Sequence, residues 1–262
     1  MSGELGGRLD GVVEAGAATQ QVTPARLLIG RTGSAYRTST QLLLRADHAF
    51  AKDALRANLS LDEPPMKDLV DRFGIFEVST EAESSDDHLA RPDRGRRLST
   101  RTIDELRERC PRDVDLQIVI GDGLSPLAVG AQVPRLIGPL LDAATTRGWS
   151  VGQPFFVRHC RVGVINDIGV GLGARNVVLL IGERPGLATA ESLSAYLAHR
   201  PAAGDTDAMR NLVSNIHSGG VGPEEAVRRI VSLVGSFELQ GRSGFTVKEV
   251  AMPTSLPGAP GR

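Results

Sequence analysis

An α/β fold carrying a doubly wound parallel sheet, preceded by a mostly helical N-terminal portion, is predicted by three observations. The first is Asn176-Val177-Val178-Leu179-Leu180-Ile181, an unbroken apolar run closed by Gly182-Glu183-Arg184-Pro185-Gly186. A run of this kind reads as a strand buried on both faces, as in the middle of a parallel sheet. The second is the alternation of strand-like and helix-like segments that begins near Pro111. The third is the helical periodicity of the stretch before it. Open sheets of this Rossmann-like type bind ligands beyond the carboxyl ends of their strands, which makes Glu183 the first place to look for function.

In chain order, residues 1–24 are rich in Gly, Ala and Gln and are expected to be a flexible tail, because each interior Gly costs a helix about 1 kcal/mol. Residues 25–110 form the mostly helical portion. Thr38 or Ser39 can cap a helix through Leu43, Ala46, Phe50 and Ala54 to about Asn58. A short helix follows Pro64-Pro65, then an edge-like strand at Ile75 to Val78 and an exposed acidic loop from Glu81 to Asp87. The Arg91–Arg97 turn leads to a helix with Thr102 and Glu105 at capping-box spacing and Ile103, Leu106 and Cys110 on one face.

Residues 111–252 form the α/β domain. Leu116–Ile120 is a strand ending at Gly121-Asp122-Gly123, and Pro126 suits the first turn of a helix whose pattern is interrupted by Pro134 and Pro139. Phe155–Arg158 and Arg161–Ile165 read as strands, with Asp167–Gly173 connecting to the central one. Leu193–His199 is a further strand, and Pro223 opens an amphipathic helix with Ala226, Ile230, Leu233 and Phe237 on its apolar side. Residues 253–262 are expected to be a second flexible tail, and the chain has no internal repeat.

Composition narrows the function classes. The 262 residues are 41% hydrophobic and carry 30 basic against 31 acidic side chains, so no footprint for nucleic acid or an anionic membrane surface is present. The 4% aromatic content argues against base-stacking platforms. No apolar run approaches the roughly 20 residues that span a bilayer. The two cysteines, Cys110 and Cys160, without a secretory signal favour a reduced, cytoplasmic setting.

Several motifs fail on context. Gly169-Val170-Gly171-Leu172-Gly173 looks like part of a dinucleotide fingerprint, but the strand at Asn176 leaves no room for the helix that would hold a pyrophosphate. Asp122 would repel a phosphate on the Gly121-Asp122-Gly123 turn, where helix capping or a neutral polar ligand fits better. The five histidines have no metal-ligand spacing, and no Gly-x-Ser-x-Gly elbow is present. Neither a catalytic residue nor a metal ligand is assigned, and the chain reads as a binder.

Seven blocks then stand in order: Arg31-Thr32-Gly33 with Asp47-His48; Arg91-Pro92-Asp93-Arg94-Gly95-Arg96-Arg97-Leu98; Gly121-Asp122-Gly123-Leu124-Ser125; Pro154-Phe155-Phe156-Val157-Arg158; Arg161-Val162; Ile181 to Leu187; and Ser214-Asn215-Ile216-His217. On these, over about residues 26–249, the chain resembles the small (light) subunit of adenosylcobalamin-dependent ethanolamine ammonia-lyase. The resemblance implies a higher-order hetero-oligomer in which the large catalytic subunit, a β/α barrel, holds ethanolamine. There the radical chemistry gives acetaldehyde and ammonia. The small subunit closes over part of the adenosylcobalamin and is inactive alone. Packaging in a bacterial microcompartment is a further property the resemblance brings into view.

Carried over by position, Val162, Glu183 and Leu212 match cobalamin-contacting residues, with Leu212 standing where relatives often have Cys. Taken without the resemblance, Glu183 also admits pairing with Arg184 or turn capping, and Val162 and Leu212 admit simple packing. Arg161 and Asn215 flank these positions, where ion pairing or turn stabilisation is their expected role. The rivals are a stand-alone α/β ligand-binding module without a lyase partner, and a nicotinamide-dependent oxidoreductase.

Overall fold

The strand sequences alternate two apolar sets, and the computed structural model shows where each set goes. Residues 31–249 are described, apart from Gly33 and Leu187, so the expected tails at 1–24 and 253–262 lie outside the described residues. A two-stranded pair, β1 (Arg31–Thr32) and β2 (Ala35–Tyr36), precedes α1 (Thr38–Arg56) and α2 (Met66–Phe73). Then come β3 (Phe76–Ser79), α3 (Ser85–Ala90), a 3₁₀ turn at Arg94–Arg96 and α4 (Thr100–Arg109). The second half runs β4 (Leu116–Gly121), α5 (Pro126–Thr146), β5 (Phe155–Arg158), α6 (Val164–Leu172), β6 (Asn176–Gly182), β7 (Leu193–His199), β8 (Asn211–Ile216) and α7 (Pro223–Gln240).

Six strands form one sheet in the order β3-β5-β4-β6-β7-β8. The four strands β3, β5, β4 and β6 are mutually parallel, while β7 and β8 are antiparallel additions. The expectation of a parallel sheet therefore holds for the first four strands. The reversal at β7 has a simple cause: the β6–β7 connection contains no helix, and a parallel return needs a crossover. The edge strand β3 comes from the stretch read as mostly helical, so that stretch contributes directly to the sheet.

Every residue of β4 and β6 is buried. Leu116, Ile118, Ile120, Val178 and Leu180 pack on one side with α5 residues Val133, Leu136, Ile137 and Leu140 and α7 residues Ile230, Val234 and Phe237. Val119, Val177, Leu179 and Ile181 pack on the other with Leu106 of α4 and Val164, Ile165 and Ile168 of α6. Helices on both faces explain the unbroken apolar composition of Asn176–Ile181, since neither alternate set meets water.

Local readings are corrected in four places. Ser99, not Thr102, caps α4, its Oγ accepting the Thr102 N–H at 3.1 Å. The end of the acidic stretch, from Ser85, enters α3, capped by Ser84 accepting from the Asp87 N–H, while residues 81–84 stay non-helical. α5 runs unbroken through Pro134 and Pro139, held by its fully buried apolar face against the local cost of proline. The segment read as a strand at Arg161–Ile165 is a turn leading into α6, and the glycine-rich Gly169–Gly173 stretch is the end of that helix. Gly169 sits there because a side chain would collide, a Cβ lying 2.2 Å from Pro201 Cγ, and at Gly171 a Cβ would be a tight fit 3.1 Å from Ile103 Cδ1.

Candidate functional site

The chain leaves β4 for α5 on one face of the sheet and leaves β5 for α6 on the other, so the carboxyl ends of these neighbouring strands flank a switch point. The turn after β4 is pinned inward. The Asp122 carboxylate is buried and accepts the N–H groups of His159 and Cys160, both at 2.7 Å. Burial pushes this carboxyl up from its usual range, against the pull of those two amides and of His88 and His159. Asp122 therefore shapes the turn after β5, where His159 has a φ of 56°. It does not cap α5; Ser125 does, with Oγ accepting the Ala128 N–H at 3.3 Å.

His88, brought in by α3, donates from Nε2 to the Gly123 carbonyl at 3.0 Å, which fixes its tautomer. Burial, with Arg161 adding to it, holds its imidazole below the ordinary value. Gly123 itself packs against the end of β6: its φ is 60°, and a Cβ there would stand 2.3 Å from the Gly182 carbonyl oxygen. From the other side, a Cβ on Gly182 would stand 2.1 Å from the Ser125 carbonyl oxygen. Two glycines let the ends of β4 and β6 touch backbone to backbone.

Glu183 follows directly. Its Oε1 accepts Ser194 Oγ at 2.5 Å and the Asn215 N–H at 2.9 Å, and its Oε2 accepts Ser192 Oγ at 2.6 Å. The β7–β8 register shifts between Leu193 and Ala195, and Asn215, at φ 60°, lies in the β8 segment that bulges there. The Asn215 side chain in turn bonds His217 Nε2 at 2.8 Å. The carboxylate thus joins the ends of β6, β7 and β8, and makes no ion pair with Arg184 within 4.0 Å among the described residues.

Around it lies an open concavity of about 270 Å³. Val162, Glu183 and Leu212, the three residues singled out in the sequence, all line it. Leu124 and Ile181 continue the apolar wall, and Ser194, Ser214 and Arg161 supply polar groups. Tyr196 stands opposite Leu212 in the β7–β8 ladder, so the two side chains form one cross-strand pair in the wall. Burial foremost, then Asp207 and Glu183, raises the Tyr196 phenol above its normal range and keeps it neutral. Leu212 is 41% exposed, an apolar surface offered to a ligand or partner rather than to the core.

The cofactor implied by the resemblance can be tested against this wall. A corrin edge carries methyl groups and amide arms, and the wall offers aliphatic side chains beside hydroxyls and a carboxylate. The chemistry fits. The concavity is open and far smaller than the cofactor, so these residues would form one side of a site completed by another chain. No histidine lines it, and no group of three or more His, Cys, Asp or Glu suited to a metal occurs among the described residues.

Ser192, just before β7, and Ser194 and Tyr196 on it escaped the sequence reading although their spacing of two is a readable signal of one shared face. β8 escaped because Asn and Ser interrupt its apolar pattern and it pairs on one side only. Both Leu127 and Val170 are exposed, and no helix among the described residues is long and apolar enough to cross a membrane.

A family model for "Ethanolamine ammonia-lyase light chain (EutC)" matches residues 14–248. The ethanolamine ammonia-lyase small subunit of Clostridium acetobutylicum is 37% identical over 227 residues, covering 87% of this chain and 91% of that protein. Its counterpart in Clostridium perfringens is 39% identical, covering 86% and 75%. That of Fusobacterium nucleatum is 42% identical, covering 81% and 70%.

Proposed function

The chain belongs to the ethanolamine ammonia-lyase light-chain family, and on that premise we propose that it supplies one wall of an adenosylcobalamin site completed by the large subunit. The enzyme is a carbon–nitrogen lyase, and this chain is its small subunit. The observation that carries the cofactor reading is convergence: Val162, Glu183 and Leu212 come from three separate segments, yet they line one concavity at the carboxyl end of the sheet.

When bound, adenosylcobalamin supplies radical chemistry for the deamination of ethanolamine to acetaldehyde and ammonia. This chain's part is to bind and orient. Leu124, Val162, Ile181 and Leu212 exclude water from the edge of the ring system, where apolar burial is worth roughly 25 cal/mol per Å². Glu183 keeps one lone pair, on Oε2, beyond its three donors and would accept there from an amide arm, while Ser214 would offer a hydroxyl. Because these groups sit on paired strands, they are placed before the ligand arrives.

Exposed apolar side chains support the heteromeric reading. Leu42, Leu43 and Phe50 on α1 are each more than half exposed, at 59%, 58% and 57%. A surface of that kind suits an interface with the large subunit.

The test is co-expression with the large subunit, followed by cobalamin retention on gel filtration and a cobalamin-dependent acetaldehyde assay. Retention and turnover are expected from the complex and from neither chain alone. A large subunit that holds cobalamin equally well without this chain would overturn the reading.

A further inference from the structure

Three arginines cluster beside the concavity, with Arg96 and Arg184 both acting on the charge of Arg161. Arg161 and Arg184 line it, and Arg96, on the 3₁₀ turn before α4, packs 2.9 Å from where a Cβ on Gly163 would lie and lines the adjacent cleft that Asp167, Asp205 and Asp207 also border. Among the described residues, none of the three has a carboxylate partner within 4.0 Å, although neighbouring Arg94, Arg97 and Arg158 all do. Arg161 is tied down by one bond, from its guanidinium to the His88 carbonyl at 2.9 Å, and its buried Nε has no partner. Its neighbourhood is hostile to its own charge: burial foremost, then Arg96 and Arg184, pull its basicity below the ordinary value, with only Asp122 and Cys160 opposing.

Like charges held together without a counter-ion destabilise the fold, and planar guanidinium groups are matched to phosphate oxygens. We propose that Arg96, Arg161 and Arg184 bind the phosphodiester of the cofactor's nucleotide loop. This rests on the cofactor reading above and adds a site to it. The arms of the corrin are neutral amides, so the phosphodiester is the ligand's one fixed anion, and an arginine cluster next to an apolar wall sorts those two parts of the molecule. An acidic segment of the large subunit is the competing source of negative charge.

The experiment compares two ligands on the assembled complex: cobalamin, which carries the nucleotide loop, and cobinamide, which lacks its phosphodiester. Binding is read by absorbance titration, independently of turnover, for wild type, Arg96→Gln and Arg184→Gln, both of which alter exposed side chains. Each substitution should weaken cobalamin by about tenfold or more, the range for a charged hydrogen bond, and leave cobinamide unchanged. Equal weakening of both ligands, no weakening of either, or loss of subunit assembly without ligand would each overturn the proposal while leaving the cofactor reading in place. If the wild-type complex binds neither ligand, the cofactor reading itself fails.

Discussion

The carboxylate of Glu183 accepts the backbone N–H of Asn215 at 2.9 Å, across 32 residues of chain. This bond couples the end of the central strand to the bulged end of β8. Glu183 therefore has a structural duty as well as a binding one, and the two separate by substitution. Glu183→Ala leaves the Ser192 and Ser194 hydroxyls and the Asn215 amide without an acceptor. Loss of about 2 kcal/mol of stability is expected, because hydrogen bonds to charged groups are worth roughly 1.5–3 kcal/mol. Cofactor affinity should fall about ten- to a hundredfold. Glu183→Gln keeps one acceptor oxygen and lets the hydroxyls turn, so it should lie between wild type and Ala on both scales. Urea denaturation and a cofactor titration of acetaldehyde formation measure the two effects; unchanged cofactor constants in both variants count against the binding role.

Leu212 offers the opposite balance. Being 41% exposed on an edge strand, it contributes little to the core. Leu212→Ala should leave the unfolding midpoint near that of wild type. It removes apolar contact worth up to about 0.8 kcal/mol per methylene, so the apparent cofactor constant should rise by roughly three- to tenfold. A large stability loss with unchanged cofactor binding would make Leu212 a packing residue only.

Gly182→Ala tests the backbone contact beside Glu183. The added methyl would stand 2.1 Å from the Ser125 carbonyl oxygen and 2.6 Å from that of Asp122, neither of which is a flexible side-chain end. Overpacking of this kind costs on the order of 1–3 kcal/mol, and the turns after β4 and β6 must part. Lower thermal stability and weakened cofactor binding should appear together. A wild-type melting temperature would mean that the two turns separate freely.

The central strand was legible because composition alone reports burial on two faces, and Glu183 followed from where that run stops. α6 was not legible. Val162, Val164 and Ile165 carry β propensity, and Gly169 and Gly171 look like breakers until Pro201 and Ile103 are seen to crowd them. Glu183 was singled out as a ligand contact, yet its donors Ser192, Ser194 and Asn215 depend on the pairing of β6, β7 and β8. That pairing is long-range and leaves no mark on local sequence. The arginine cluster is hidden for the same reason, since Arg96, Arg161 and Arg184 belong to three separate segments.

The exposed face of α1 gives an assembly prediction. Phe50 is 57% exposed, so Phe50→Glu should leave the fold of this chain intact. A charge placed in a subunit interface is costly to desolvate, so the same substitution should lower the yield of complex with the large subunit on gel filtration. Assembly at wild-type yield would exclude this face from the interface.

The last prediction concerns pH and follows from His88, which faces Asp122, His159, Arg161 and the Gly123 carbonyl. Burial and the Arg161 charge depress its folded-state pKa, and Asp122 and the Gly123 bond offset this only in part. A depressed histidine binds fewer protons in the folded chain than in the unfolded one, so stability rises with pH across its titration. Its contribution is complete above the unfolded value of about 6.5 and is lost as pH falls from there through the folded value, at up to about 1.4 kcal/mol per pH unit. Asp122 acts with the opposite sign, because burial raises its carboxyl, and it is present in both proteins compared here. His199 is also depressed by burial and leaves a residual slope of the same sign as that of His88. His88→Gln places an amide N–H where Nε2 donates to Gly123 and removes the titration. Urea unfolding between about pH 7.5 and pH 5 should therefore show a shallower loss of stability for His88→Gln than for wild type. Parallel curves would mean that His88 keeps its ordinary basicity in the folded chain, and that the turn bearing Gly123 does not depend on its neutral form.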